Sequence, residues 1–276
     1  MEKLKSGGCT TNKWSPDRDK LSSALPCCAM QIESTNRSPT RALGRPMGLL
    51  ELLCGVILLM TPVRAFSASE VKAMNPATRG SVEIRGHTVH YLAAGPDAGQ
   101  SVLLLHGGKY DSGTWNSLGT LATLSRAGFR ALAIDLPGFG KSAGWKINEK
   151  SFLVELIDAL KIGRPVIVAP SKSGRLAFPL VLKNPEKAAG FVPIAAVGSP
   201  LYSKRLKDNP LPALVLWGST DRMFKPKVHS DLAARFKRSE LLMLSGAGHA
   251  AYLDQPGLFH EALLKFLAGL GPRTPD

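Results

Sequence analysis

Three residue types that can together perform acyl transfer occur in the order serine, aspartate, histidine along this 276-residue chain. They are Ser171, Asp221 and His249, and each follows a stretch whose apolar and β-branched residues predict a buried strand. A serine hydroxyl is a poor nucleophile until a neutral imidazole takes its proton, and a carboxylate holds that imidazole in the required tautomer. The residue types and their order therefore predict a Ser-Asp-His triad beyond the carboxyl ends of parallel strands.

The serine is expected on a sharp turn between a strand and a helix, the geometry called a nucleophile elbow. The strand is predicted at 166–170, and an apolar helical segment follows the turn. Such a turn needs small residues two positions before and two after the nucleophile. Ser171 has Ala169 and Ser173 at these positions, whereas Ser173 would have Arg175. We therefore favour Ser171. The strict Gly-x-Ser-x-Gly string is absent, so this segment alone also fits an ordinary turn with an N-cap serine.

A second loop is expected to supply hydrogen-bond donors for the oxyanion of the transition state. The apolar run at 101–105 is typical of a buried parallel strand, and it ends in His106, Gly107 and Gly108. In the fold that uses this elbow, one donor is an N–H of this loop and the other is the N–H that follows the nucleophile. We therefore expect Gly108 and Lys172 to be the donors, and we expect His106 to have a structural role.

The surrounding elements alternate between strand and helix, which predicts an α/β protein with a mostly parallel sheet covered by helices on both faces. A hairpin at 81–84 and 88–92 precedes it, so the architecture expected is an α/β-hydrolase fold with an N-terminal antiparallel hairpin. The link at 197–211 is polar and basic, which predicts a minimal lid and disfavours a long-chain lipase. Further strands are predicted at 130–135, 190–196, 213–217 and 240–244, and helices at 114–127, 149–160, 227–237 and 257–270.

Two other polar residues are expected to be structural rather than catalytic. Asp135 follows a buried strand and precedes a glycine- and proline-rich turn at 136–142. The turn lacks the Gly-x-x-x-x-Gly-Lys-Ser/Thr spacing of a phosphate-binding loop, so Asp135 is expected to brace it. His260 falls on the last predicted helix, where we expect it to be exposed.

The amino-terminal quarter of the chain has a different composition. Residues 1–46 are polar and lack hydrophobic periodicity, which predicts a disordered tail. Residues 47–66 form a hydrophobic segment that is short for a membrane span but suits a signal sequence. The basic residues before it favour a signal-anchor that holds the protein in a membrane through residues 47–63. One alternative is that the segment is a cleaved signal sequence, which would give a secreted or organellar protein. Another is that the upstream residues are not the native start of the protein, which would then be cytoplasmic. The hydrolase domain is expected at 78–271.

Composition excludes several classes of function. All four cysteines lie before residue 66, so the predicted domain has no disulfide, cysteine nucleophile or thiolate metal site. No His-x-x-x-His or Cys-x-x-Cys pattern indicates a metal, and neither a metal nor a cofactor is expected. The net charge of +14 is scattered along the chain without a dense basic helix. We interpret it as a solvated basic surface and expect no nucleic-acid partner.

Six stretches carry a resemblance to a known family: Val-Leu-Leu-Leu-His-Gly (102–107), Thr-Trp-Asn-Ser-Leu-Gly-Thr-Leu (114–121), Ala-Ile-Asp-Leu-Pro-Gly-Phe-Gly (133–140), Pro-Ser-Lys-Ser-Gly (170–174), Gly-Phe-Val-Pro-Ile-Ala (190–195) and Gly-Ala-Gly-His (246–249). With these stretches the sequence resembles, between about residues 80 and 270, the alpha/beta-hydrolase domain-containing protein 14 family. The resemblance implies the same triad, Gly108 and Lys172 as oxyanion donors, and hydrolysis of small acyl esters. One member of that family is associated with moving acetyl groups from lysine to coenzyme A and with binding a transcription-initiation factor, and another has an N-terminal membrane anchor. Here Ala169 replaces a family serine and Lys172 an apolar residue.

The function predicted from the sequence is a serine hydrolase of small acyl esters or amides that works through an acyl-enzyme intermediate. One alternative is acyl or acetyl transfer to coenzyme A, such as lysine deacetylation. A second alternative is a low-turnover scaffold that keeps the fold and binds a protein partner. The expected partner is thus a small acyl substrate. The first alternative adds coenzyme A as the acyl acceptor, and the second adds a protein partner.

Overall fold

The computed structural model describes residues 77–225 and 227–271. The predicted tail at 1–46 and the hydrophobic segment at 47–66 lie outside these described residues. Within the described ranges, no helix is both long enough and apolar enough to cross a bilayer.

Eight strands of the described chain form one sheet in the order β1-β2-β4-β3-β5-β6-β7-β8. The β1–β2 and β2–β4 pairs are antiparallel, and the remaining neighbours run parallel. This confirms the mostly parallel sheet with an antiparallel hairpin at its start, and the predicted strand bounds are correct to within a few residues. The strands are β1 Thr78–Ile84, β2 His87–Ala94, β3 Ser101–Leu104, β4 Arg130–Ile134, β5 Val166–Pro170, β6 Gly190–Ile194, β7 Ala213–Gly218 and β8 Ser239–Leu244.

Helices cover both faces of the sheet because its central strands are apolar on both sides. In β5, Ile167 and Ala169 pack into one hydrophobic cluster, whereas Val166 and Val168 pack into the other. This arrangement is typical of parallel strands in α/β proteins. The helices are α1 Ser112–Ser117, α2 Thr120–Arg126, α3 Phe152–Leu160, α4 Gly174–Lys183, α5 Ser199–Tyr202, α6 Val228–Ala233, α7 Ala251–Asp254 and α8 Pro256–Ala268. Helices α3, α4 and α6 contribute to the first cluster, and α1, α2, α7 and α8 to the second.

Several predicted helices differ from the observed ones. The single helix expected at 114–127 is wrong, because Gly119 adopts a left-handed φ of 78° and separates α1 from α2. The helix expected at 227–237 ends at Ala233, and the one expected at 149–160 begins at Phe152. The link at 197–211 contains only the short helix α5, in line with the minimal lid.

Candidate active site

Ser171 occupies a strained position between β5 and α4. β5 ends at Pro170, Ser171 begins a 3-10 turn, and α4 starts at Gly174. The φ of Ser171 is 48°, a left-handed conformation that costs a non-glycine residue about 1–3 kcal/mol. The N–H of Val197 donates to the Ser171 carbonyl oxygen at 2.7 Å, and this bond helps to hold the turn. The serine therefore stands at the apex of a sharp strand-to-helix turn, as the elbow geometry requires.

The second serine of the turn has a structural role. Ser173 is fully buried, and its hydroxyl donates to the carbonyl oxygen of Pro170 at 2.8 Å. Ala169 is also fully buried. A third small residue, which the spacing around Ser171 does not identify, is Gly174, where an added Cβ would lie 2.5 Å from the Val197 carbonyl oxygen. The turn is thus tight on the side of α4 and leaves Ser171 as the serine that faces the site.

The structure brings the three sequence-predicted catalytic side chains together. Nε2 of His249 lies 2.8 Å from the Ser171 hydroxyl oxygen, and Nδ1 lies 3.0 Å from Oδ2 of Asp221. The side chain of Asp221 is 1% exposed and that of His249 is 23% exposed. With the proton on Nδ1, the ring donates to the carboxylate, and Nε2 is left to accept the serine proton. The arrangement can therefore activate a hydroxyl nucleophile.

Asp221 is held by the backbone as well as by the histidine. Its second carboxylate oxygen accepts the N–H of Met223 at 2.8 Å. One oxygen is therefore committed to the backbone and the other to His249, which fixes the orientation of the carboxylate.

The loops after β7 and β8 approach closely enough to bring the acid and the histidine into contact. An added Cβ on Gly218, the last residue of β7, would overlap the carbonyl oxygen of Gly248. The Thr220 hydroxyl donates to the carbonyl oxygen of Ala247 at 2.9 Å, and the N–H of Gly248 donates to the Asp254 carboxylate at 2.8 Å. Gly218 and Asp254 thus position His249, and no sequence pattern identified them in advance.

His106 organises the loop that follows β3. Its Nε2 accepts the N–H of Leu136 at 3.0 Å, so Nδ1 bears the proton and donates to the carbonyl oxygen of Gly107 at 2.8 Å. The ring is 1% exposed, and this burial lowers the pKa of His106. These bonds confirm the structural role expected from the sequence, because both ring nitrogens are occupied by the backbone.

The two predicted oxyanion donors lie beside the nucleophile. A Cβ added to Gly107 would lie 3.8 Å from the Cβ of Ser171, so this loop runs directly alongside the elbow. A Cβ added to Gly108 would lie 3.0 Å from Cδ of Lys172, so the lysine stem passes over that glycine. The absence of a side chain at Gly108 therefore makes room for Lys172.

A cleft of about 180 Å³ opens beside this loop. It is bounded by Gly107 and by the segment after β4, and Lys172 of the elbow and Arg175 of α4 also line it. Nζ of Lys172 lies 4.8 Å from the centroid of the Phe139 ring, a cation–π distance. A larger cleft of about 530 Å³ adjoins β1 and β2. None of the three predicted catalytic residues lines either cleft, but the smaller one is lined by Gly107, whose loop runs alongside Ser171, and by Lys172, which follows it.

The remaining candidates from the sequence have structural contacts. The carboxylate of Asp135 accepts the N–H of Ser112 at 2.8 Å and the N–H of Lys141 at 2.9 Å, which confirms that it braces the loop. The expectation that His260 is exposed is wrong. The residue is half-buried, because its ring packs toward α2, where Nε2 lies 2.9 Å from the Thr120 hydroxyl. In the described part of the chain, no cluster of three or more His, Cys, Asp and Glu side chains could hold a metal ion.

The fold and the geometry of the site define the class of protein. The family model described as alpha/beta hydrolase fold matches residues 100–211 and 198–256. Solved structures with the same fold include the "predicted CIB-like hydrolase" of Thermoplasma acidophilum, with a TM-score of 0.66 and 24% identity over 71% of this chain and 99% of that one. Carboxylesterase CesB of Bacillus subtilis has a TM-score of 0.63 and 18% identity over 73% of this chain and 95% of that one. At these identities the likeness shows the fold.

More similar relatives identify the family within that class. The human "Putative protein-lysine deacylase ABHD14B" is 38% identical over 202 residues, which cover 69% of this chain and 95% of that protein. The rat protein ABHD14A is 37% identical over 203 residues, which cover 71% of this chain and 83% of that protein. The chain belongs to the ABHD14 family of α/β hydrolases.

Proposed function

We propose that this protein is a serine hydrolase that cleaves small acyl esters or amides through an acyl-enzyme on Ser171. The proposal rests on one observation: the ring of His249 bridges the Ser171 hydroxyl at 2.8 Å and the Asp221 carboxylate at 3.0 Å. The three side chains come from loops after β5, β7 and β8, the edge of a parallel sheet where sites are found.

The proposed reaction uses these groups in two half-reactions. The Ser171 hydroxyl oxygen attacks the acyl carbonyl carbon while Nε2 of His249 takes its proton, and Asp221 stabilises the imidazolium. His249 then gives that proton to the leaving oxygen or nitrogen as its bond to the acyl carbon breaks. Water, deprotonated by the same imidazole, attacks the acyl-serine, and His249 returns that proton to the serine oxygen as its bond to the acyl carbon breaks and the acid is released. The N–H groups of Gly108 and Lys172 are the proposed oxyanion donors, each worth about 3 kcal/mol in such sites.

The small acyl group follows from the space at the site. The cleft that Gly107 and Lys172 line, next to Ser171, holds about 180 Å³, and the link between β6 and β7 adds only the four-residue helix α5. A long acyl chain would need an apolar lid that this link does not provide.

Hydrolysis of 4-nitrophenyl acetate tests the proposal. The full-length protein should release nitrophenol, and Ser171→Ala should lower kcat at least about 10³-fold. Ser173→Ala is the matched control, because it removes a hydroxyl two residues away that bonds only to the Pro170 carbonyl. Equal activity in Ser171→Ala and the wild type would refute the assignment. A folded protein with no activity and an unreactive Ser171 would favour the low-turnover scaffold.

Acyl transfer from lysine to coenzyme A is a second candidate, favoured by relatives named as protein-lysine deacylases. In this case the acyl-serine ester is attacked by a thiol, which gives a thioester and regenerates the serine hydroxyl. Coenzyme A should then accelerate turnover of an acetyl-lysine peptide and appear as acetyl-coenzyme A in mass spectra. Turnover that is independent of coenzyme A and yields acetate alone would favour plain hydrolysis.

A further inference from the structure

The cleft beside the oxyanion loop lies on the acyl side of the proposed reaction. His249 must reach the leaving atom to protonate it, so the leaving group lies on the His249 side of the scissile bond. The cleft is lined by the segments that follow β3 and β4, by Lys172 and by the start of α4. Ser171 lies next to it, beside Gly107 and Lys172, and no residue of the Asp221 or His249 loops lines it. The acyl chain is therefore the part of the substrate that this cleft can receive.

The cleft has apolar walls and one cationic side chain, Lys172, that no anionic side chain of the cleft neutralises. Arg175 and Glu149 form an ion pair at 2.8 Å and neutralise each other. Among the described residues, no carboxylate forms an ion pair with Lys172, whose ammonium lies over the Phe139 ring. Apolar contacts for methylene groups come from Leu136, Phe139, Ile147 and Leu176.

The ammonium of Lys172 is within reach of a short chain attached to Ser171. The two residues are adjacent, and a lysine side chain spans roughly 6 Å from Cα to Nζ. The cleft volume of about 180 Å³ corresponds to about six groups of water size at roughly 30 Å³ each. A chain of two or three methylenes that ends in a carboxylate has five or six heavy atoms beyond the acyl carbonyl.

We propose that the cleft selects acyl groups that end in a carboxylate, and that Lys172 determines this specificity by pairing with that carboxylate. The substrates are then half-esters or half-amides of four- and five-carbon dicarboxylic acids. Hydrolysis through Ser171 gives the dicarboxylate and the alcohol or amine. This inference rests on the proposed function, since it concerns the acyl group that Ser171 receives.

Two phenyl esters with the same leaving group and the same chain length test the proposal. The wild type should have a higher kcat/KM for the phenyl half-ester of glutaric acid than for phenyl pentanoate, with phenol release followed by chromatography. Lys172→Met should lower the ratio of the two kcat/KM values about threefold to fivefold, the size expected for one ion pair made by an exposed lysine. Lys172→Arg should keep the preference, and salt should weaken it in the wild type.

Lys141→Met is the matched control for net charge, because Lys141 lines the larger cleft and not this one. It should leave the ratio unchanged. An unchanged ratio in Lys172→Met, or an equal fall in Lys141→Met, overturns the inference while hydrolysis by Ser171 stands. A third substrate, an acetyl ester whose leaving group bears the carboxylate, tests which side of the scissile bond faces Lys172. The inference also fails if Lys172→Met lowers kcat/KM only for this third ester. If Ser171→Ala releases phenol from both esters as fast as the wild type, the proposed function fails, and this inference fails with it.

Discussion

Replacing Asp221 by asparagine should lower kcat about 10⁴-fold without unfolding the protein. One oxygen of the carboxylate accepts the N–H of Met223 at 2.8 Å and the other contacts Nδ1 of His249 at 3.0 Å. Asparagine has a single oxygen, and the Met223 N–H can only pair with that oxygen. The NH₂ group of asparagine must then point at His249.

An NH₂ group opposite Nδ1 reverses the tautomer of the histidine. Nδ1 must accept a hydrogen bond, so the ring proton moves to Nε2, which faces the Ser171 hydroxyl at 2.8 Å. A protonated Nε2 cannot take the serine proton. A 10⁴-fold loss corresponds to about 5.4 kcal/mol of transition-state stabilisation. The stability of the fold should change little, because asparagine has the shape of aspartate and keeps the bond to Met223.

The assay is steady-state hydrolysis of 4-nitrophenyl acetate, with thermal unfolding to verify the fold of each variant. Asp254→Asn is the matched control, because Asp254 also supports the histidine loop but its carboxylate accepts the Gly248 N–H, whereas Asp221 is the carboxylate on the imidazole. It should change kcat less than about threefold. A loss below tenfold in folded Asp221→Asn, or an equal loss in Asp254→Asn, would refute the reasoning about the tautomer.

Three further predictions concern stability. Gly174→Ala should lower the free energy of unfolding by about 2 kcal/mol and Tm by about 6 °C in calorimetry, because its Cβ would lie 2.5 Å from a backbone carbonyl oxygen. Gly140→Ala should also lower Tm, since Gly140 has a φ of 53° and an added Cβ would overlap the Asp135 carboxylate; an unchanged Tm would contradict this. Burial lowers the folded-state pKa of His106 below 6.5, so the unfolded chain binds the proton first as pH falls. Stability in urea should therefore decrease as pH falls from about 6.5 toward the lower folded-state pKa, and His106→Gln, which cannot titrate, should weaken that decrease.

The sheet could be predicted because its signal is local. The run 166–170 is apolar at every position, and such a run fits a strand buried on both faces. The observed β5 is buried throughout. The order of Ser171, Asp221 and His249 gave the candidate site, since in this fold the order of the loops along the chain fixes which loop supplies which group.

The errors occurred where a single residue overrides periodicity. Residues 114–127 have helical spacing of apolar residues, but Gly119 takes a left-handed φ and divides the segment. The spacing could not reveal this, because glycine is also tolerated inside helices at a modest cost.

The supporting contacts of the site could not be predicted because they join distant parts of the chain. Gly174 is needed because the backbone of Val197 lies against it, and Gly218 because the backbone of Gly248 does. The position of Lys172 depends on the Phe139 ring and on the missing side chain of Gly108. Local patterns do not encode such close approaches of backbone and side chain.

The central claim is that Ser171 is the nucleophile that His249 activates, and covalent labelling with a fluorophosphonate tests it most directly. Trypsin cleaves after Lys172 and therefore places Ser171 and Ser173 on different peptides. We predict one adduct on the peptide that ends at Lys172, a much slower reaction in His249→Ala, and none in Ser171→Ala. An adduct on the Ser173 peptide, or a folded protein that does not react, would contradict the account.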